Sequence, residues 1–582
     1  MRFRFLPNLV SFLPAILAQT TVSSNKDADC RCLYGQSCWP SEQDFSSLST
    51  LLSQPLIRPV PPASACYPVG NPSGNCSDVQ QNWVNGNWRA DQPGAYQNVN
   101  FETYTNRNGS ISGCYLNTTL GLPCDQGSIP PIGVDVRTIE DVQAAVRFVG
   151  QHNLRLVVKN TGHDYLGRSA ARNAFMIWTH HLKNISYNAN FIPDGGLDNE
   201  TVPALTLGAG GGLQWREAYA AVAEQERFIL GGISTDMSVG AAGGWIMGGG
   251  HSGFSAKYGL GVDNAIQFTI VKADGDHVVA NAHHNPDLFW ALRGGGAGSW
   301  GVVTSVTYRT YDLVPLTMSF INATFSDPQV AQEVTTEFIG LHPKLSDAGW
   351  GGYSFFNNQT IFAAFLAPNV SWADTNATIL PFFDFVKNAT GQPDTPIFTQ
   401  PFDNFHAWLD ALQSQGSAGG MEQVGGFGEL ASRLISREAA EERPEETAQL
   451  LLSFEFVSIN FVAGGAVARA DPDSVGLHPG WRKAVAHVWT SEGWEAGDSG
   501  DVVRQARQRV AREVRRLEPI SPDSATYMNE ASLYEPDFRK SFFGSHYEKL
   551  RSIKRKHDPR SLFLVAEGVG SEDWNGSLTC PV

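Results

Sequence analysis

The sequence predicts an α+β protein of several domains, and three observations predict it. At 582 residues the chain exceeds what one hydrophobic core ordinarily serves. Helix-period and strand-period stretches are interleaved from about residue 134 onward. Near residue 313 a glycine-rich half gives way to alternating strands and longer helices. The expected division is a leader at 1–18, a cysteine-rich extension at 19–125, a first α/β domain at 126–312, a second domain at 313–515 with a mainly antiparallel sheet under helices, and a return to the first domain at 516–582.

Residues 1–18 carry Arg2 and Arg4 ahead of an apolar run that is short and broken by Pro7 and Pro14. That pattern reads as a secretory signal peptide, with an N-terminal anchor as the alternative. The cysteines agree with export: Cys30, Cys32, Cys38, Cys66, Cys76, Cys114, Cys124 and Cys580 form an even set crowded near one end. In an oxidising compartment such a set makes disulfides that pin the extension to the body, in a pairing the sequence does not fix. No metal is expected, because Cys30, Cys32 and Cys38 lack the CxxC pairs and histidines of a zinc site. Glycosylation sequons begin at Asn75, Asn108, Asn117, Asn184, Asn199, Asn322, Asn358, Asn369, Asn376, Asn388 and Asn575, and should lie at the surface. A net charge of −16 argues against nucleic acid and anionic membranes as partners.

The extension is rich in Pro, Gly, Ser and Asn, and is expected to wrap the body without a site of its own. At Thr138 a capping-box-like start, with Asp141 three residues on, opens a helix whose Val142, Ala145, Val146 and Val149 share a face. It feeds a strand at 156–158 and then the turn Lys159, Asn160, Thr161, Gly162, His163, Asp164, Tyr165. A strand running into a glycine-bearing turn leaves convergent backbone N–H groups, which hold a diphosphate without lysines. Strands follow at 175–179 and 204–207, then a helix at 215–225.

The stretch 230–259 is the second focus. It holds Gly231, Gly232, Gly240, Gly243, Gly244 and Gly250 among other glycines, interleaved with Val239, Trp245, Ile246, Met247 and Phe254. Each glycine costs backbone entropy, and flexible linkers are polar, so the pattern points to backbone laid against a large flat ligand. A hairpin at 265–280 turns at Asp274-Gly275, a short helix covers 287–292, and a strand covers 302–308. In the second domain, strands are expected at 316–325 and 352–367, a helix at 329–341, and a further helix around 430–452 interrupted at Pro444. The acidic run 438–446 reads as a solvated helix face. Helices at 505–517 and 546–556 close the chain around Tyr527-Met528-Asn529-Glu530.

Together, GHDYLG at 162–167, GGGHS at 248–252, RGGGAGSWGVVTSV at 293–306, Tyr527-x-Asn529, Phe542-Phe543-Gly544 and Asp558-Pro559 resemble the berberine-bridge-enzyme-like FAD-linked oxidases of the vanillyl-alcohol-oxidase superfamily. THHLK at 179–183 and GVGSEDW at 568–574 are most similar to the fungal isoamyl-alcohol-oxidase-like branch. The resemblance implies a PCMH-type FAD-binding domain of two α/β subdomains, a substrate domain over the isoalloxazine, and FAD joined covalently to His163. It also implies cofactor contacts from Asp236, Val239, His251, Gly301, Val302 and Asn529, along with the turn and glycines named above. Relatives often add a second link through a cysteine; here that position is Asp236, and no cysteine lies between Cys124 and Cys580, so attachment through His163 alone is expected. Val at position 239 resembles the oxygen gate of oxidases.

An alcohol oxidase needs a base for the O–H proton while hydride leaves carbon. The family's Tyr-x-Asn-Tyr segment reads Tyr527-Met528-Asn529-Glu530 here. Glu530 is the expected base if desolvation raises its pKa, with Tyr527 orienting the substrate; packing at the ring's edge is the competing reading for both. Trp481 and Arg482 are further candidates for the substrate wall. Three functions stay open: a secreted oxidase of alcohols that uses O2 and releases H2O2, a tailoring oxidase or dehydrogenase of fungal secondary metabolism, and a non-catalytic flavin- or carbohydrate-binding protein.

Overall fold

The computed structural model describes residues 30–67, 75–208, 212–234, 236–414 and 424–582. The leader expected at 1–18 lies outside the described residues. Three sheets build the body. In the first, Ile132–Asp135, Phe175–Trp178 and Leu156–Lys159 run parallel, and Leu56–Ile57 of the extension adds an antiparallel edge. The helix Ile139–Gln151 starts as its sequence predicts, with Thr138 and Asp141 closing a capping box. It buries Val142, Ala145, Val146 and Val149 beside that sheet. Asp141 also accepts hydrogen bonds from the Ser53 amide and hydroxyl, which ties the extension to the helix start.

The second sheet is antiparallel, in the order His277–Ala280, Ala265–Val271, Val302–Asp312, Val202–Gly208, Asn184–Phe191, with Arg227–Ile229 pairing the far end of Val302–Asp312. The hairpin turns at Gly275, whose φ of +82° favours glycine. Strand Asn184–Phe191 escapes a sequence reading because it is mostly exposed and polar.

The third sheet has seven antiparallel strands in the order Ile397–Phe402, Leu316–Thr324, Thr360–Pro368, Gly351–Phe356, Val457–Phe461, Ala484–Gly493, Gly428–Ser436. Helices Pro328–Asp347, Trp372–Thr390 and Gly500–Arg515 pack on this sheet over a core that includes Ile321, Phe338, Ile361, Phe365, Phe382 and Val488. The helix expected across 430–452 is corrected. Its first part is the strand Gly428–Ser436, and only Arg437–Glu442 and Pro444–Leu451 are helical. Leu430, Ala431, Leu434 and Ile435 satisfy a helical period, but this segment is buried along its whole length between the Gly500–Arg515 helix and the body, and continuous burial favours the strand. Glu438, Glu441, Glu442, Glu445 and Glu446 are exposed, as a solvated helix face requires.

All eight cysteines pair, as Cys30–Cys580, Cys32–Cys38, Cys66–Cys76 and Cys114–Cys124. Nine of the sequon asparagines are exposed; Asn376 and Asn575 are half-buried, and their side-chain carbonyls accept hydrogen bonds from Thr399 and Ser577 respectively. Among the described residues no helix is long and apolar enough to cross a membrane.

Candidate active site

A cavity of about 790 Å³ lies between the first two sheets and one face of the third. Its floor is the turn that follows strand Leu156–Lys159. Asn160, Thr161, Gly162, His163, Asp164 and Tyr165 all line it, and Gly162 takes a φ of +81°. Asp164 fixes the turn by accepting from the amides of Leu166 and Ser169. His163 Nε2 lies 2.7 Å from Ser238 Oγ, and burial pushes its imidazole down to about 4 against the pull of the Asp236 charge.

The second glycine stretch forms a side wall through Asp236, Val239, Gly240, Gly243 and Gly244, and Gly301 and Val302 complete it. A Cβ on Gly301 would come within 2.4 Å of the Val271 carbonyl, so only glycine fits. Four of the expected cofactor contacts are corrected. Lys159 points away: its buried ammonium donates to the Gln92 carbonyl below the Tyr96 and Trp178 rings, and burial pushes it down to about 7. Gly231, Gly232 and Gly250 do not line the cavity either. Added Cβ atoms there would meet the indoles of Trp215 or Trp245, so these glycines admit tryptophan packing rather than ligand.

Over this floor stands a cluster from three parts of the chain: His251 after the glycine stretch, His487 on strand Ala484–Gly493, and Glu530. Glu530 lies 3.0 Å from His251 Nε2 and 3.5 Å from His487 Nδ1, and Asn460 Nδ2 is 3.4 Å from the same His487 nitrogen. Burial pushes the Glu530 carboxyl up, but His251, by charge and hydrogen bond, and His487 together outweigh it, and the carboxyl is held below its ordinary value. The expectation that desolvation would raise Glu530 is therefore corrected. Burial pushes His487 down to about 3, so its ring is neutral. The donor atoms of the three residues lie within 4.8 Å of one another, a grouping that would also suit a metal ion's nitrogen and carboxylate ligands.

Tyr527 is buried beside them, its hydroxyl accepting from Asn529 Nδ2 at 2.9 Å, while that amide also donates to the Gly244 and Trp245 carbonyls. Burial and Glu530 push the Tyr527 phenol up, so it stays protonated. Trp481 and Arg482 do not line the cavity, which corrects their assignment to the substrate wall. Arg482 makes a two-pronged ion pair with Asp263 at 2.9 and 2.7 Å, and Trp481 packs edge-on to Tyr527.

The roof is the open face of the seven-stranded sheet. Phe320, Tyr353, Phe355, Phe362, Phe398 and Trp489 line it, and Phe320 stacks on Phe398 at 4.9 Å. Sequence reasoning missed this roof, along with His487, Asn460 and Asn87. The signal available for His487 was its shared strand parity with Trp489 and Ser491.

The residues fit FAD. Buried Asn87 Oδ1, Asn160 Oδ1 and Ser234 Oγ line the cavity without hydrogen-bond partners among the described residues, and the glycine walls leave backbone open to a flat ring system. Fold and site together define an FAD-linked oxidoreductase. The comparisons agree. The family described as "FAD binding domain" matches residues 130–281, and "Berberine and berberine like" matches residues 526–570. An uncharacterized FAD-linked oxidoreductase of Arthroderma benhamiae is 35% identical over 99% of both chains. The crystal structure of the VAO-type flavoprotein MtVAO615 from Myceliophthora thermophila C1 superposes with a TM-score of 0.83 at 29% identity, covering 95% of this chain and 99% of that one. A xylooligosaccharide oxidase from the same fungus, in complex with xylobiose, shares the fold at 20% identity and a TM-score of 0.59, over 76% of this chain and 91% of its own. The chain belongs to the berberine-bridge-enzyme-like FAD-linked oxidoreductases of the vanillyl-alcohol-oxidase type.

Proposed function

We propose that this enzyme is a secreted oxidase of apolar, aromatic alcohols, with its FAD held covalently through His163. FAD, when bound, would supply a hydride acceptor at N5 and a route for the electrons to O2, giving H2O2. The observation that carries the reading is Glu530, a buried carboxylate held below its ordinary value beside His251, at a cavity roofed with aromatic rings. Glu530 takes the alcohol proton, and His251, 3.0 Å away, holds the carboxylate in place. Tyr527 stays a phenol and donates a hydrogen bond to the substrate oxygen. Phe320, Phe362 and Phe398 hold an aromatic body and exclude water around the reacting carbon. Val239 lines the side wall, where O2 would approach the flavin. Ser238 Oγ contacts His163 Nε2 at 2.7 Å and so fixes the ring at the cavity floor. The paired cysteines and the exposed sequons support secretion.

The test is to precipitate the holoenzyme in acid, look for flavin absorbance in the pellet, and assay peroxide release on benzylic and polycyclic alcohols beside simple sugars. Flavin retained by wild type and released by His163→Ala, with peroxide from the aromatic set, is the expected result. Oxidation of sugars in preference would transfer the enzyme to the carbohydrate class.

A further inference from the structure

The two family matches cover 130–281 and 526–570, and the oligosaccharide oxidase superposes on only 76% of the chain. Residues 86–97, in the disulfide-bonded extension, lie outside both matches, yet they contact Thr161 and Gly162, which precede His163, and approach Asp236 and Ser238 beside its ring. Gln97 donates through its amide N–H to the Gly162 carbonyl at 3.1 Å, and through Nε2 to the Thr161 and Gly86 carbonyls at 3.0 Å each. One side chain thereby bridges the His163 turn to the extension helix Gly86–Ala90.

From the other side, Gly86 abuts the residues that hold the imidazole. A Cβ there would lie 2.3 Å from Asp236 Oδ2 and 2.5 Å from Ser238 Oγ, the oxygen that contacts His163 Nε2. Asn87 donates to the Asp236 carbonyl at 3.2 Å and leaves its own Oδ1 buried at the cavity without a hydrogen-bond partner. The segment is itself fixed: Arg89 is fully buried, donates to the Tyr96 carbonyl and pairs with Glu102. The extension, expected to have no site of its own, lends Asn87 to the lining of this cavity.

We propose that residues 86–97 are a clamp that positions His163 for covalent attachment of the flavin, with Gly86 and Gln97 as positioning residues, and that Asn87 is a further flavin-binding residue whose Oδ1 accepts from a hydroxyl or N–H of the cofactor. The inference rests on the reading of His163 as the attachment residue. Attachment joins a ring nitrogen of His163 to the flavin 8-methyl carbon: one methyl C–H and the imidazole N–H are lost as protons, two electrons reduce the flavin, and O2 takes up both electrons and protons to give H2O2. Such a step is sensitive to placement, since a misplacement of about 1 Å costs reacting groups roughly a hundredfold in rate.

The experiment compares wild type, Gly86→Ala, Gln97→Leu, Asn87→Leu and the exposed-site control Gln80→Ala, each expressed and purified as holoenzyme. Total flavin is read from the native absorbance, covalent flavin from the acid pellet, redox potential by dye equilibration, and fold from Tm. We expect wild type and Gln80→Ala to hold nearly all flavin in the pellet. Gly86→Ala and Gln97→Leu should bind FAD with Tm retained but release most of it in acid. Asn87→Leu should show weaker total flavin and a shifted potential. Pellet flavin equal to wild type in all variants, with potentials unchanged, overturns the clamp. So does parallel loss of total flavin and Tm, which marks a purely structural segment. Absence of pellet flavin in wild type instead overturns the His163 reading itself.

Discussion

The floor and the roof of the cavity are built by opposite means. The floor is a turn and glycines, where the chain lies close to the cavity, with the Trp215 side chain packed behind. The roof is side chain: alternate residues of five strands put Phe320, Phe355, Phe362, Phe398 and Trp489 on one face, while their neighbours pack under helices. A floor of this kind suits one invariant ligand, because backbone cannot be varied without breaking the fold. A roof of this kind can be changed ring by ring, and that is where specificity is set.

The contrast can be broken or sharpened by mutation. The largest effect is expected where floor and roof meet: Glu530→Gln should lower kcat by about 10²–10⁴-fold, measured as reductive half-reaction rate in stopped flow, with flavin content unchanged. Next, Arg482→Ala should destabilise by about 3–5 kcal/mol in chemical denaturation, because Asp263 is left as an unpaired, mostly buried charge, with KM unaffected. Behind the floor, Gly231→Ala drives a methyl to 2.3 Å from Trp215 and should cost about 1–3 kcal/mol with some loss of flavin. On the roof, Phe320→Ala and Phe362→Ala should leave Tm nearly unchanged, since both rings are half-exposed, but raise KM for aromatic alcohols by about tenfold, the equivalent of about 1.4 kcal/mol. Equal Tm losses from floor and roof variants would dissolve the distinction.

A further expected effect is pH dependence. Burial holds His487, on the roof side, and His342, under the helices, both down to about 3. A histidine depressed in the folded state contributes stability that is present above its unfolded value of about 6.5 and is lost as pH falls through the folded one, at up to about 1.4 kcal/mol per pH unit. Tm should therefore decline from about pH 6.5 downward, and His342→Leu should flatten that decline without touching catalysis.

The floor was legible in the sequence because backbone needs show as residue identity. Gly162 and Gly301 take positive φ where they stand, and His163 sits in a recognisable strand-to-turn setting. Tyr527 and Glu530 were legible as a variant of a family segment. The roof was not, because alternating phenylalanines in a sheet look the same whether they face a cavity or a core. His487 is one histidine in an apolar strand, and only the third dimension sets it opposite Glu530. Gly231, Gly232 and Gly250 were misassigned for the converse reason: a glycine that admits tryptophan and one that admits ligand read alike.

The Cys30–Cys580 bridge joins positions 550 residues apart, at the far side of the extension and the last segment of the chain. A polypeptide closed in this way behaves toward proteases as a ring. One cut between the two cysteines opens it but releases no fragment, and the halves stay joined beside each other through sulfur. An enzyme working among secreted hydrolases would keep its flavin seat through a first nick, and such damage would surface only on a reducing gel.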